Sequence, residues 1–351
     1  MPACLPPPPK NVQNWALVKT SVGKRVGRQW GKDGVGGGCR NHFPFLAACG
    51  QPPISLNRIV KGQDTVPGEF PWQISLQLNK RHVCGGSLIS DEWVITAAHC
   101  FYQDLSQYQV LLGVTQLSNP GPQACCLGVK QVIVNPTYAG QTSSGDIALV
   151  QLSRRVQYSD LILPICLPDA SVKFPPGKVC WVTGWGNLLD LPSPQTLQKL
   201  QVPIIDSRTC GELYRTNMGD GLTPRIIKED MICAGFAEGL KDACKGDSGG
   251  PMVCLIGHSW VLAGIVSWGE GCAIKNRPGV YSRLTYYQNW IHRYIPDIQF
   301  VKEQNSHGVR ELRDWRQYTK VQKSPVDHSP SHGFSLMASR LVFIVCLLIA
   351  M

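Results

Sequence analysis

The stretch Gln73-Ile74-Ser75-Leu76-Gln77-Leu78 alternates polar and apolar residues without a break. That two-residue period is the signature of a strand with one face in a core and the other in a polar setting. Working outward, short apolar runs rich in β-branched residues recur on both sides, divided by turn signals. They include Trp93-Val94-Ile95-Thr96, Gln109-Val110-Leu111-Leu112, Ile147-Ala148-Leu149-Val150 and residues 179–183 and 262–267. These read as strands buried on both faces. Many short strands at roughly even spacing from Ile59 to about Ile295 predict an all-β fold built as barrels or a sandwich. The segment from Thr285 to Tyr294, aromatic-rich and closed by Pro296, is the best helix candidate.

Composition narrows the function. The formal charge of +10 lies in the flanks: residues 1–58 net +7 and residues 301–351 net +3, leaving 59–300 with equal numbers of each sign. A globular part without net charge makes nucleic acid a poor partner. Fifteen cysteines, twelve of them from Cys49 to Cys272 inclusive, lack the spacing of metal knuckles. They read as a disulfide framework, which places the protein outside the cell, secreted or attached to the surface. The odd total leaves at least one thiol unpaired or joined to another chain.

Residues 1–48 carry a proline run, scattered Lys/Arg and a glycine cluster, with no uninterrupted apolar stretch to serve as a signal peptide. Residues 1–58 are expected to be a poorly ordered pro-segment or an artefact of gene assignment. Residues 59–300 form the globular domain and 301–333 a polar stalk. Within the tail 334–351, Arg340 precedes eleven apolar residues. As a helix these would reach about 16 Å, short of the roughly 30 Å hydrocarbon core. A short apolar tail behind a polar spacer matches a cleaved lipid-anchor (GPI) signal, and hence a membrane tether. A short span and a tail without anchoring function are the alternatives.

The chemistry gathers at Gly246-Asp247-Ser248-Gly249-Gly250-Pro251. Glycines let backbone N–H groups turn toward a ligand, and a nucleophilic serine needs such donors beside it. Its hydroxyl also needs a base. Of eight histidines, His99 in Thr96-Ala97-Ala98-His99-Cys100 is fixed by context, following an apolar strand beside a cysteine. Asp146 opens an apolar run and supplies a carboxylate to orient an imidazole. Taken singly, these are a turn serine, a packed histidine and a capping aspartate; together, in the order His, Asp, Ser, they point to acyl transfer.

With Arg58-Ile59-Val60, Cys84-Gly85-Gly86-Ser87-Leu88, Gly184-Trp185-Gly186, Ser267-Trp268-Gly269 and Pro278-Gly279-Val280-Tyr281 added, the chain over residues 49–295 resembles the trypsin-like serine proteases. Within them it is most similar to the subgroup of marapsin, prostasin and testisin. The resemblance implies two six-stranded antiparallel barrels with a C-terminal helix and a cleft between the barrels. His99, Asp146 and Ser248 would form the triad and the N–H groups of Gly246 and Ser248 the oxyanion hole. It implies disulfides Cys49–Cys166, Cys84–Cys100, Cys180–Cys254, Cys210–Cys233 and Cys244–Cys272. Cys4, Cys39, Cys125, Cys126 and Cys346 are left over. The adjacent Cys125-Cys126 departs from the family pattern, and incidental thiols or a dimer contact both fit it.

The same resemblance makes Arg58-Ile59 an activation bond. Cutting it would free an ammonium on Ile59 to pair with Asp247, and Lys61, where the family usually has glycine, is expected to slow or alter that cut. Asp242 falls at the base of the specificity pocket, with Ser267, Gly269 and Gly279 as substrate-lining positions. Substrates are then proteins or peptides with Arg or Lys before the scissile bond. The implied partners are an activating trypsin-like protease and inhibitors of the serpin or Kunitz kind. No cofactor or metal is expected: the loop 112–129 has no Asp or Glu for calcium, and Pro278 stands where sodium-responsive relatives carry tyrosine. A catalytically silent homologue that binds a partner is the rival reading, and the complete His, Asp, Ser set argues against it.

Overall fold

In a computed structural model of the chain, the described residues are 49–54, 63–186, 195–219, 223–239, 246–271 and 274–302. Outside them lie Arg58, Ile59, Lys61, Asp242, Cys244, Cys272, residues 1–48, nearly all of the stalk and the apolar tail. The chain divides into Met1–Gln304 and Asn305–Met351, and the second unit lies wholly outside the described residues. Among those residues no helix is long and apolar enough to cross a membrane.

The strands are β1 (Gln63–Asp64), β2 (Gln73–Leu78), β3 (Arg81–Leu88), β4 (Trp93–Thr96), β5 (Tyr108–Leu112), β6 (Cys125–Val134) and β7 (Ala148–Leu152). After β8 (Leu167–Pro168) come β9 (Val179–Gly184) and β10 (Gln198–Ile205), then helix α1 (Ser207–Arg215). The chain continues through β11 (Met231–Ala234), β12 (Pro251–Ile256), β13 (Ser259–Trp268), β14 (Gly279–Arg283), helix α2 (Gln288–Tyr294) and β15 (Phe300–Val301). One barrel closes in the order β2-β3-β4-β7-β6-β5. The other runs β10-β11-β14-β13-β12-β9 and closes through a β9–β10 pairing, with β1 added outside on β10. All twelve barrel strands pair antiparallel, and closure removes the free edges that open sheets expose.

Each barrel has its own packed interior. Ile74, Leu76, Val94, Ile95 and Leu149 belong to the first core; Val182, Val202, Ile232, Met252 and Tyr281 fill the second. Four disulfides, Cys49–Cys166, Cys84–Cys100, Cys180–Cys254 and Cys210–Cys233, staple the described residues. Cys125 is a free thiol. Cys126, left over in the sequence reading, is disulfide-bonded, so the two adjacent cysteines are chemically different.

Three local features add to or correct the sequence reading. The polar setting of β2 is itself internal: Gln73, Ser75 and Gln77 are buried along with Ile74 and Leu76. Gln73 Oε1 accepts a 2.6 Å bond from Thr183 Oγ1 of the second barrel, so the polar face of β2 meets the other barrel at Gln73. The predicted helix from Thr285 begins later, because Leu284–Tyr286 form a 3-10 turn before α2. Helix α1 was not foreseen from apolar periodicity. Its signal is the cap: Asp206 accepts from the N–H groups of Arg208 (2.9 Å) and Thr209 (3.1 Å), satisfying two donors that the first helical turn leaves open.

Candidate active site

His99 sits in a single 3-10 turn, Ala98–Cys100, directly after β4. The buried methyls of Ala97 and Ala98 hold one side of that turn, and the Cys84–Cys100 disulfide ties the other to β3. The imidazole is thereby fixed at the end of a barrel strand while its side chain stays 28% exposed.

Asp146 precedes β7 and is buried. Its Oδ2 accepts from His99 Nδ1 at 2.8 Å and from Ser267 Oγ at 2.5 Å, and its Oδ1 accepts from the His99 backbone N–H at 3.0 Å. Its own carbonyl accepts from Ser282 Oγ at 2.6 Å. An ionised carboxylate only accepts, so Nδ1 carries the hydrogen and Nε2 keeps its lone pair. Ser267 and Ser282 belong to β13 and β14, so the acid is gripped by both barrels. Ser267, expected among the substrate-lining positions, turns its hydroxyl to Asp146. Tyr138 lies close enough that, after burial, the charge of Asp146 also raises its phenol.

Ser248 lies in the loop before β12, half-buried. Its carbonyl accepts from Gly85 N–H of β3 at 2.8 Å, and Gly249 N–H donates to Val266 O at 2.8 Å. Gly249 has φ +76°, and a Cβ there would lie 2.1 Å from Thr96 Oγ1 and 3.1 Å from the Ala97 nitrogen. The serine loop therefore rests directly against the strand end that carries His99. On its other side Gly246 has φ +97°, and a Cβ there would meet the Gly186 carbonyl at 1.9 Å. Asp247 Oδ1 accepts from Gly186 N–H at 2.7 Å. Among the described residues, no acceptor takes the N–H of Gly246 or of Ser248.

A residue that sequence reading passed over completes this loop. His82 Nε2 lies 3.0 Å from the Gly246 carbonyl and Nδ1 lies 2.8 Å from Ser75 Oγ. A neutral ring satisfies both, donating from Nε2 and accepting at Nδ1 from the serine hydroxyl. Burial lowers its pKa below the ordinary 6.5, although the bond to the Gly246 carbonyl opposes that shift. The available signal was a second histidine two residues before Cys84, with Ser75 on the neighbouring strand. Gly279 lies in β14 paired with Ala234, and Gly269 just follows β13.

Cys84, His99 and Cys100 bring potential metal donors within 4.8 Å of one another. The two sulfurs are bonded to each other, which leaves the imidazole as the only ordinary donor of the three.

The family model described as Trypsin matches residues 59–291, two thirds of the chain. The chain belongs to the trypsin family. A mouse (Mus musculus) protein named tryptase is 43% identical over 251 residues, covering 70% of this chain and 91% of the relative. This trypsin-family chain is accordingly a serine endopeptidase, a hydrolase of peptide bonds. Both barrels of the fold lie within the matched span.

Proposed function

We propose that this endopeptidase cleaves after Arg or Lys, is made as a zymogen opened at Arg58-Ile59, and works outside the cell. The observation that carries the mechanism is Asp146, whose carboxylate takes His99 from one barrel and Ser267 from the other. His99 Nε2 removes the Ser248 proton as Oγ attacks the scissile carbonyl, and the resulting imidazolium protonates the leaving amine. The N–H groups of Gly246 and Ser248 bind the oxyanion; one such donor is worth about 3–4 kcal/mol in the transition state. Water then enters by the same route, with His99 acting again as base, and the acyl-enzyme is hydrolysed.

The basic-residue preference is supported by Asp242, six residues before Ser248, and by the missing side chains at Gly269 and Gly279. A carboxylate at the base of an open slot pairs with guanidinium or ammonium. Activation is supported by Asp247, a carboxylate already turned inward onto Gly186 N–H, to which an Ile59 ammonium would be a fitting partner. Residues 59–300 are the protease domain in this reading. Four disulfides support the extracellular setting, and the tail 334–351 serves as the signal for a lipid anchor.

The test is hydrolysis of paired peptide amides carrying Arg or Leu before the scissile bond, before and after limited cutting by trypsin. Turnover of the Arg substrate only after cutting, absent in Ser248→Ala, supports nucleophile, pocket and zymogen together. Equal turnover of the Leu substrate would remove the basic-residue preference, and full activity before cutting would remove the zymogen.

A further inference from the structure

One buried carboxylate near the site has no part in the scheme above. Asp230, 4% exposed, lies just before β11, and its backbone carbonyl is tied into the second barrel by Arg283 N–H at 2.8 Å. Its side chain reaches across to the first barrel. Oδ1 accepts from Ser144 Oγ at 3.1 Å, and Oδ2 accepts from Gly145 N–H at 3.0 Å and from Tyr287 O–H at 2.5 Å. The Tyr287 oxygen, 3.0 Å away, also accepts from Gly145 N–H. The phenol is held far above its ordinary range, by burial first and then by the bond to Asp230 and its charge.

These contacts converge on the two residues directly before Asp146. Gly145 has φ +79°, and a Cβ there would strike Thr137 Oγ1 at 2.3 Å, so no side chain can anchor that peptide. What fixes it is the pair from elsewhere in the fold, Asp230 from the second barrel and Tyr287 from the lead-in to α2. We infer that Asp230 and Tyr287 are positioning residues: they lock the Ser144–Gly145 backbone and thereby aim the Asp146 carboxylate at His99. The inference rests on the proposed role of Asp146 as the partner of a catalytic His99. Charge-assisted acceptance by a buried carboxylate is stronger and geometrically tighter than a neutral bond. Small misplacement of a catalytic group is costly, about 10²-fold in rate for an ångström.

The experiment measures kcat and KM per titrated active site for the cut wild type, Asp230→Ala, Asp230→Asn and Tyr287→Phe. Expected are a fall in kcat of about 10- to 100-fold for Asp230→Ala, and about 3- to 10-fold for Tyr287→Phe, with KM little changed. Asp230→Asn keeps a carbonyl oxygen for Gly145 N–H and should recover most of the loss. A purely structural role would lower thermal stability or the fraction of active sites and leave kcat per site at the wild-type value; that result overturns the inference. If Asp230→Ala does not fold, Tyr287→Phe, which removes a single hydroxyl, decides in the same way. Absence of turnover in the cut wild type would instead refute the proposed function, so the two failures are distinct.

Discussion

Removing the carboxylate of Glu69 tests how far this fold depends on a charge pair hidden from water. Glu69 and Lys199 form a salt bridge with side chains only 3% and 8% exposed. Glu69 Oε2 also accepts from Val66 N–H at 3.1 Å, and the Lys199 ammonium sits 5.7 Å from the centre of the Trp181 ring. Glu69→Leu would orphan both an ammonium and a backbone N–H in a nearly dry setting. Breaking such a pair from one side costs about 3–5 kcal/mol, because the remaining charge keeps its desolvation penalty. For a domain of this size each kcal/mol moves the unfolding midpoint by about 2–4 °C, so a fall of about 10 °C is expected. Lys199→Met should behave alike, more mildly where Val66 N–H still serves the orphaned carboxylate. The double variant, with no charge left to bury, should return to within about 1–2 kcal/mol of wild type. The assay is thermal unfolding followed by circular dichroism, disulfides intact, at two scan rates to expose irreversibility. Single variants within about 2 °C of wild type, or a double variant that falls by the sum of the singles, would refute the reasoning.

Other outcomes follow from the site. Gly249→Ala places a methyl 2.1 Å from Thr96 Oγ1 at a positive φ, and is expected to cut kcat/KM by more than about 10²-fold. Wild-type activity in that variant, measured on the Arg peptide amide, would mean the serine loop does not rest on β4. The His82 imidazole is depressed in the folded state, so from about pH 6.5 downward the unfolded chain binds the extra proton first. Its contribution to stability is therefore full above about pH 6.5 and lost as pH falls toward the lowered folded value. His82→Gln should flatten the stability profile between about pH 7 and 5, and superimposable wild-type and variant slopes would contradict it. Arg58→Ala should yield a zymogen that trypsin leaves silent; activation equal to wild type would exclude that bond as the switch.

Much of this architecture was readable as local pattern. The run 73–78 coincides with β2 and the run 93–96 with β4, since alternation and β-branched runs are short-range signals. What that pattern left open was the meaning of the polar half of β2, because a period of two says that faces differ and not what each face meets. The second barrel covers Gln73 and, through His82, Ser75; only the folded topology supplies that cover. Relations between distant residues were likewise out of reach. Ser267 and Asp146 are 121 positions apart, and Asp230 and Gly145 are 85 apart. Nothing in either neighbourhood marks the partner. His99, Asp146 and Ser248 stood out because each carries its own local signature, whereas Asp230 looks like any acid before a strand.

The bonds between barrels have a mechanical consequence. Gln73 to Thr183, His82 to Gly246, Gly85 to Ser248, Ser267 to Asp146 and Asp230 to Gly145 all join one barrel to the other, each within 3.0 Å. Fasteners placed this way resist both shear and opening, since any relative sliding stretches several at once. The two halves therefore behave as a stiff frame with little compliance at the cleft. A hinge-like closure of one half on the other would have to break these bonds together, whereas a change in a loop that the frame holds out breaks none of them.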